Sequence, residues 1–154
     1  MASTPPALPT KVFIDSSVLV ATAISVRGSA RELLNAGIRG HYELFASQIV
    51  LAETERNIAL KAPAALPMFR MFEVVFAAGI VHPSKERVLE VARIVELKDA
   101  PIVAGAIEAG AQYLATYDRR HLLNAADRIH KAFGVNVETP FAILRASGEG
   151  LKPG

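Results

Sequence analysis

A chain of 154 residues, 51% hydrophobic and 21% charged, is long enough for one domain with a sizeable core and too apolar to remain disordered. It has no cysteine, which excludes a disulfide framework, a thiolate nucleophile and cysteine-ligated zinc. The net charge of +2 permits a polyanionic partner without requiring one.

Residues 1–10 are small and proline-rich, without the basic and then apolar stretches of a signal peptide, and are expected to form a flexible tail. No apolar run approaches the roughly 20 residues of a membrane span, and a cytoplasmic location is expected. The apolar run 12–14 reads as a buried strand that stops at Asp15. Helices are expected over 18–24 and 30–38, with Ser29 as N-cap of the second. A strand over 42–46 is followed by Ser47, the expected cap of a helix over 48–60. Residues 63–78 read as one Phe- and Met-rich helix ended near Gly79, and 80–81 as a short strand. The stretch 84–95 is amphipathic, with Val88, Val91, Ala92 and Val95 at helical spacing. Pro101 suits the first turn of a helix over 101–109, which Asp99 precedes and Gly110 stops. The strand 112–116 runs into Tyr117-Asp118. A helix over 125–133, a strand over 135–137 and a helix beginning at Thr139-Pro140 complete the domain, expected to span 11–146 and to be followed by a flexible tail, 147–154. There is no internal repeat and no linker. This alternation predicts an α/β fold, a three-layer α/β/α sandwich around a mainly parallel sheet.

Three acids take related positions in this scheme. Asp15 and Asp118 follow strands, and Asp99 opens the helix leading into the strand before Asp118. Chemistry in open α/β sheets gathers at the carboxyl ends of strands. Each Asp taken singly is better read as a helix cap or turn residue, because its oxygen accepts backbone N–H groups. Glu53 and Glu55 lie two positions apart on one helix and face nearly opposite ways, and periodicity does not choose between them. The four histidines (His41, His82, His121, His130) form no HxH or HxxxH pair, which argues against a histidine-rich metal centre. A phosphoacceptor signalling domain also carries strand-end Asp residues, but it needs an acceptor Asp on a middle strand, and 42–47 has none.

Taken together, the segments resemble a PIN domain, the nuclease fold of many bacterial toxin–antitoxin ribonucleases. Val12-Phe13-Ile14-Asp15-Ser16-Ser17-Val18-Leu19-Val20 resembles the family's apolar strand, Asp-Thr-Asn/Ser and apolar helix. Ser47-Gln48-Ile49-Val50-Leu51-Ala52-Glu53 resembles its Ser-to-Glu segment. The block from Asp99-Ala100-Pro101 to Thr116-Tyr117-Asp118, followed by Arg119-Arg120-His121-Leu122-Leu123, resembles its late Asp…Thr-x-Asp block. Gly28-Ser29-Ala30-Arg31-Glu32-Leu33-Leu34 is similar to a subgroup of toxin–antitoxin toxins. The resemblance covers about 11–144. It departs from the pattern twice: Ser16-Ser17 replaces the commoner Thr-Asn, and Arg119, Arg120 and His121 stand where a further acid sometimes follows the last Asp.

The resemblance implies a metal-dependent endoribonuclease, the toxin of a type II toxin–antitoxin pair, with Mg²⁺ or Mn²⁺ as cofactor. Its catalytic residues would be Asp15, Glu53, Asp99 and Asp118, with Asp15, Asp99 and Asp118 as metal ligands and Ser17 and Thr116 in support. Lys98, Arg119 and Arg120 are candidate contacts to the RNA backbone, and His121 is a weaker one. An antitoxin partner and a homodimer are also implied. Phe69, Met71, Phe72, Val75 and Phe76 are expected mostly in the core, an exposed part serving the groove that such toxins offer the antitoxin. A PIN domain that binds RNA or protein with little or no catalysis is the alternative, because of the missing late acid.

Overall fold

The computed structural model describes residues 8–148. Residues 1–7 and 149–154, most of the two expected tails, lie outside them; Thr10 already belongs to the first strand and Ser147 closes the last helix. That first strand, β1 (Thr10–Ile14), buries Val12, Phe13 and Ile14 alike, as a central parallel strand covered on both faces must. The chain continues through α1 (Ser16–Ile24), α2 (Ser29–Ile38), β2 (Tyr42–Ser47), α3 (Gln48–Lys61) and α4 (Leu66–Glu73). It ends with β3 (Ile80–Val81), α5 (Lys85–Val91), α6 (Ala100–Glu108), β4 (Tyr113–Ala115), α7 (Ala126–Phe133), β5 (Asn136–Glu138) and α8 (Pro140–Ser147).

All strand pairs are parallel, and the order is β3-β2-β1-β4-β5. The chain therefore winds outward from β1 to β3, then returns to lay β4 on the other side of β1. Right-handed crossovers put the helices of the first half on one face and α5, α6 and α7 on the other. The packing agrees: α1 lies against α2, α3 and α4, α2 against α8, and α6 against α5 and strands β1, β2 and β4. This is the expected three-layer α/β/α arrangement. The reversal of strand order between β1 and β4 leaves a crevice at their carboxyl ends, where ligands collect in such sheets.

Three local expectations are corrected. Gly28, not Ser29, occupies the N-cap of α2, in a backbone conformation (φ +106) that a side chain rarely adopts. The helix over 63–78 is broken into a 3₁₀ turn (Pro63–Ala65), α4, and a second 3₁₀ turn (Val74–Phe76). Pro63 and Pro67 each suit a first helical turn and remove an interior N–H, so each restarts the helix rather than continuing it. The helix over 84–95 stops as α5 at Val91, although Ser84 caps it by accepting from Arg87 N at 3.1 Å. Beyond it, Asp99 N donates to Glu96 O at 2.9 Å, closing the turn that delivers Asp99 to the head of α6. Ser47 and Thr139 cap α3 and α8 through their hydroxyls. Phe69 and Phe76 are in the core, while Met71 and Val74 are 68% and 74% exposed.

α6 approaches β1 closely because position 105 has no side chain. A Cβ there would lie 2.7 Å from Cζ and 2.8 Å from Cε2 of Phe13, whose ring is fully buried. Ala normally favours a helix over Gly by about 1 kcal/mol. Here Gly105→Ala is expected to lower stability by about 1–3 kcal/mol through overpacking. Thermal unfolding checks this; an unchanged or raised Tm would contradict it.

Candidate metal centre

Asp15 leaves β1 in register with β4: Ile14 pairs with Ala115, and Asp15 N donates to Ala115 O at 3.0 Å. Thr116 therefore emerges beside it. Asp15 has N-cap backbone geometry for α1, yet its side chain makes no capping hydrogen bond. Its Oδ2 instead accepts from Ser17 Oγ at 2.9 Å and Thr116 Oγ1 at 2.8 Å. Each hydroxyl accepts a backbone N–H from the loop after β4, Ser17 from Tyr117 N at 3.0 Å and Thr116 from Asp118 N at 3.0 Å. With those N–H groups as donors, the single proton of each hydroxyl is directed at Asp15. The capping role for Asp15 is thus corrected: it is 6% exposed and held by hydroxyls at one oxygen, with no described residue hydrogen-bonded to Oδ1.

Asp99 behaves likewise. It takes the N-cap position of α6 without a capping hydrogen bond, is 8% exposed, and has Lys98 Nζ 3.9 Å from Oδ1. Asp118 keeps the turn role, its Oδ1 accepting from His121 N at 3.1 Å. Glu53 is presented by α3, whose Val50, Leu51, Thr54 and Ile58 are buried. This rotation sends Glu53 to the crevice and Glu55 outward to an ion pair with Arg70. The choice between the two acids, open in the sequence, is made by packing.

The four acids line one cleft of about 440 Å³. Ser16, Ser17, Asn57, Lys61 and Lys98 add polar groups, and Val20, Ile102 and Leu122 apolar ones. Asn57 and Lys61 escaped the sequence reading; their signal was spacing, since they stand four and eight positions after Glu53 on one helix face. Arg119 and Arg120 are exposed and lie off this wall, although Lys98 is on it. Ser17 supplies a donor to Asp15 where the commoner Asn would offer an amide.

Burial raises the Glu53 carboxyl above its ordinary range, and the charges of Asp15 and, more weakly, Asp99 add to it, against the Ser16 hydroxyl and Arg56. Burial likewise raises Asp99; Lys98 and His121 oppose this, and Asp118 and Glu96 reinforce it. A metal-free cluster of this kind works against its own charges, and a divalent cation removes the conflict. An all-oxygen carboxylate set fits Mg²⁺ or Mn²⁺.

Thr116→Val removes one of the two donors to Asp15 and leaves Asp118 N without its acceptor. It is expected to weaken Mn²⁺ binding by about 10-fold, the lower part of the range for residues that orient a ligand. Calorimetric titration checks this; unchanged affinity would show that Asp15 needs no such support.

A family model for the PIN domain matches residues 12–128, a span that contains all four acids. The chain belongs to the PIN-domain family. PIN domains are generally nucleases that use divalent metals. Among solved structures, the chain is similar to PAE2754 from Pyrobaculum aerophilum, at 17% identity over 90% of each chain with a TM-score of 0.61. VapBC2 from Rickettsia felis, bound to a DNA fragment from its promoter, matches at 17% identity over 84% of this chain and 98% of that one, TM-score 0.61. FitAcB from Neisseria gonorrhoeae matches at 18% identity over 84% and 98%, TM-score 0.56. At these identities the likeness is one of fold. No curated protein sequence matches the chain. Among the described residues of this PIN domain, no helix is long and apolar enough to cross a membrane.

Proposed function

We propose that this PIN domain is a metal-dependent endoribonuclease and the toxin of a type II toxin–antitoxin pair. The observation that carries the reading is that Asp15 and Asp99 occupy helix-cap positions without capping, and share a cleft with Glu53 and Asp118. Asp15, Asp99 and Asp118 would hold Mg²⁺ or Mn²⁺, with Glu53 bound directly or through water. When bound, such an ion activates water and offsets charge developing at the scissile phosphate. Where Glu53 meets the ion through water rather than directly, it would hold that water by a hydrogen bond. Ser17 and Thr116 keep Asp15 oriented. Lys98 on the cleft wall neutralises the approaching phosphate, and Arg119 and Arg120 carry the strand beyond it.

The toxin assignment draws on the fold shared with VapBC2 and FitAcB and on the resemblance of the motifs. It brings with it a cytoplasmic location, a cognate antitoxin and a homodimer. The exposed Met71 of α4 and Val74 just after it offer apolar surface for such partners. The second reading, a PIN domain that binds without cleaving, rests on Arg119-Arg120-His121 in place of a further acid. Metal-depleted protein incubated with single-stranded RNA separates the two. Cleavage restored by Mn²⁺ or Mg²⁺ and stopped again by chelator supports the nuclease; RNA retention without cleavage at any metal concentration favours the binding module.

A further inference from the structure

A second set of ligand atoms converges behind Asp99. Glu96 lies in the turn before α6, Asp99 opens α6, and His121 follows the loop after β4; one ligand atom from each lies within 4.8 Å of the other two. His121 Nδ1 and Glu96 Oε2 are 3.5 Å apart, at the outer limit for a hydrogen bond. Two ligands each about 2.1 Å from one ion, at tetrahedral angles, stand about 3.4 Å apart. The buried Asp99 carboxylate accepts no hydrogen bond from any described residue. It lines both the four-acid cleft and a neighbouring hollow of about 70 Å³, which Glu96 and His121 also line. That volume admits an ion with a water. His121 is held in place by its own N–H to Asp118 Oδ1 at 3.1 Å and by Ala125 N to its carbonyl at 3.0 Å.

We propose that Glu96, Asp99 and His121 form a second divalent-metal site, adjoining the first through Asp99, that takes a transition-metal ion such as Zn²⁺ or Co²⁺ in preference to Mg²⁺. The preference follows from the imidazole, a good ligand for Zn²⁺ and its neighbours and a poor one for Mg²⁺. Three protein ligands leave one position open for water or a phosphate oxygen. Arg120 and Arg128 also line the hollow and oppose a cation there by charge. A weakly held oxygen-bound ion is therefore disfavoured, while an anionic fourth ligand is favoured. Within the run Arg119, Arg120 and His121, only His121 has a metal-binding side chain.

The test is titration of the full, metal-depleted chain with Co²⁺, followed by calorimetry and the visible spectrum of the bound ion. The wild type is expected to take up two equivalents, and Asp15→Asn to lose one. His121→Ala and the exposed Glu96→Gln are each expected to lose the other, and Mg²⁺ to displace only the equivalent that depends on Asp15. The proposal does not depend on the nuclease reading. A single equivalent lost in His121→Ala and kept in Asp15→Asn would support this site while counting against the cleft. Uptake unchanged in stoichiometry and spectrum by His121→Ala and Glu96→Gln, with both variants folded by circular dichroism, would overturn it.

Discussion

Asp15→Asn is expected to lower metal-dependent RNA cleavage by at least about 10³-fold while leaving the fold intact. A bound divalent ion stabilises transition-state charge by several kcal/mol, and each 1.4 kcal/mol is a factor of about ten. The Asn carbonyl oxygen can still accept from Ser17 and Thr116, which now donate to Asp15 Oδ2. Only the negative charge is lost, and the Tm should therefore move little or rise. A cleavage assay against the wild type, paired with thermal unfolding, reads both quantities. Cleavage surviving in Asp15→Asn, and equally in Asp99→Asn, would remove these residues from the chemistry. Loss of activity together with a collapsed Tm would instead make Asp15 a structural residue.

The second large effect is on pH dependence. Glu53 and Asp99 both titrate above their ordinary values of 4.5 and 3.8, chiefly through burial; the charge of Asp15 adds to the rise at Glu53, while at Asp99 Lys98 and His121 oppose it. A raised carboxyl binds its proton more tightly folded than unfolded. The stability this contributes is fully present below the ordinary values and is lost as pH rises through the raised ones. The metal-free protein is therefore expected to lose Tm as pH climbs from about 4 towards neutrality on account of these two groups. Asp99→Asn should flatten that slope and raise the neutral-pH Tm, by about 2–4 °C for each kcal/mol of relieved charge burial. A cation binds the ionised forms, so Mn²⁺ affinity and cleavage should both rise over the same window, and saturating Mn²⁺ should reduce the loss of Tm. The measurement is Tm against pH, with and without Mn²⁺, for the wild type and Asp99→Asn. Identical profiles for the two proteins would mean that burying the Asp99 charge carries no such cost.

Much of this was legible in the chain because local pattern and global fold agree. The apolar runs ending at Asp15 and near Thr116 became β1 and β4, and Ser47 and Thr139 cap the helices expected of them. The broken stretch 63–78 was not legible, because its apolar spacing is helical throughout while Pro67 and the 3₁₀ turn at Val74 decide its breaks. The two faces of α3 could not be ranked from a spread of apolar residues. Contact with α1 and α6 orients them, sending Glu53, Asn57 and Lys61 to the cleft. Local statistics also favour capping for Asp15, and what overrides them is Thr116, distant in sequence but adjacent across the β1–β4 pair. The meeting of Glu96 with His121 was hidden for the same reason: they are distant in sequence, and only the fold brings the loop after β4 against the turn before α6.

The position of a bound metal ion tests the four-acid cleft most directly. In a crystal of the full chain soaked in Mn²⁺, an anomalous peak is expected in the four-acid cleft, about 2.2 Å from carboxylate oxygens of both Asp15 and Asp99. Asp118 or Glu53 should complete the coordination directly or through water. A cleft without a peak at saturating Mn²⁺, or a peak beyond bonding distance of Asp15, would contradict it.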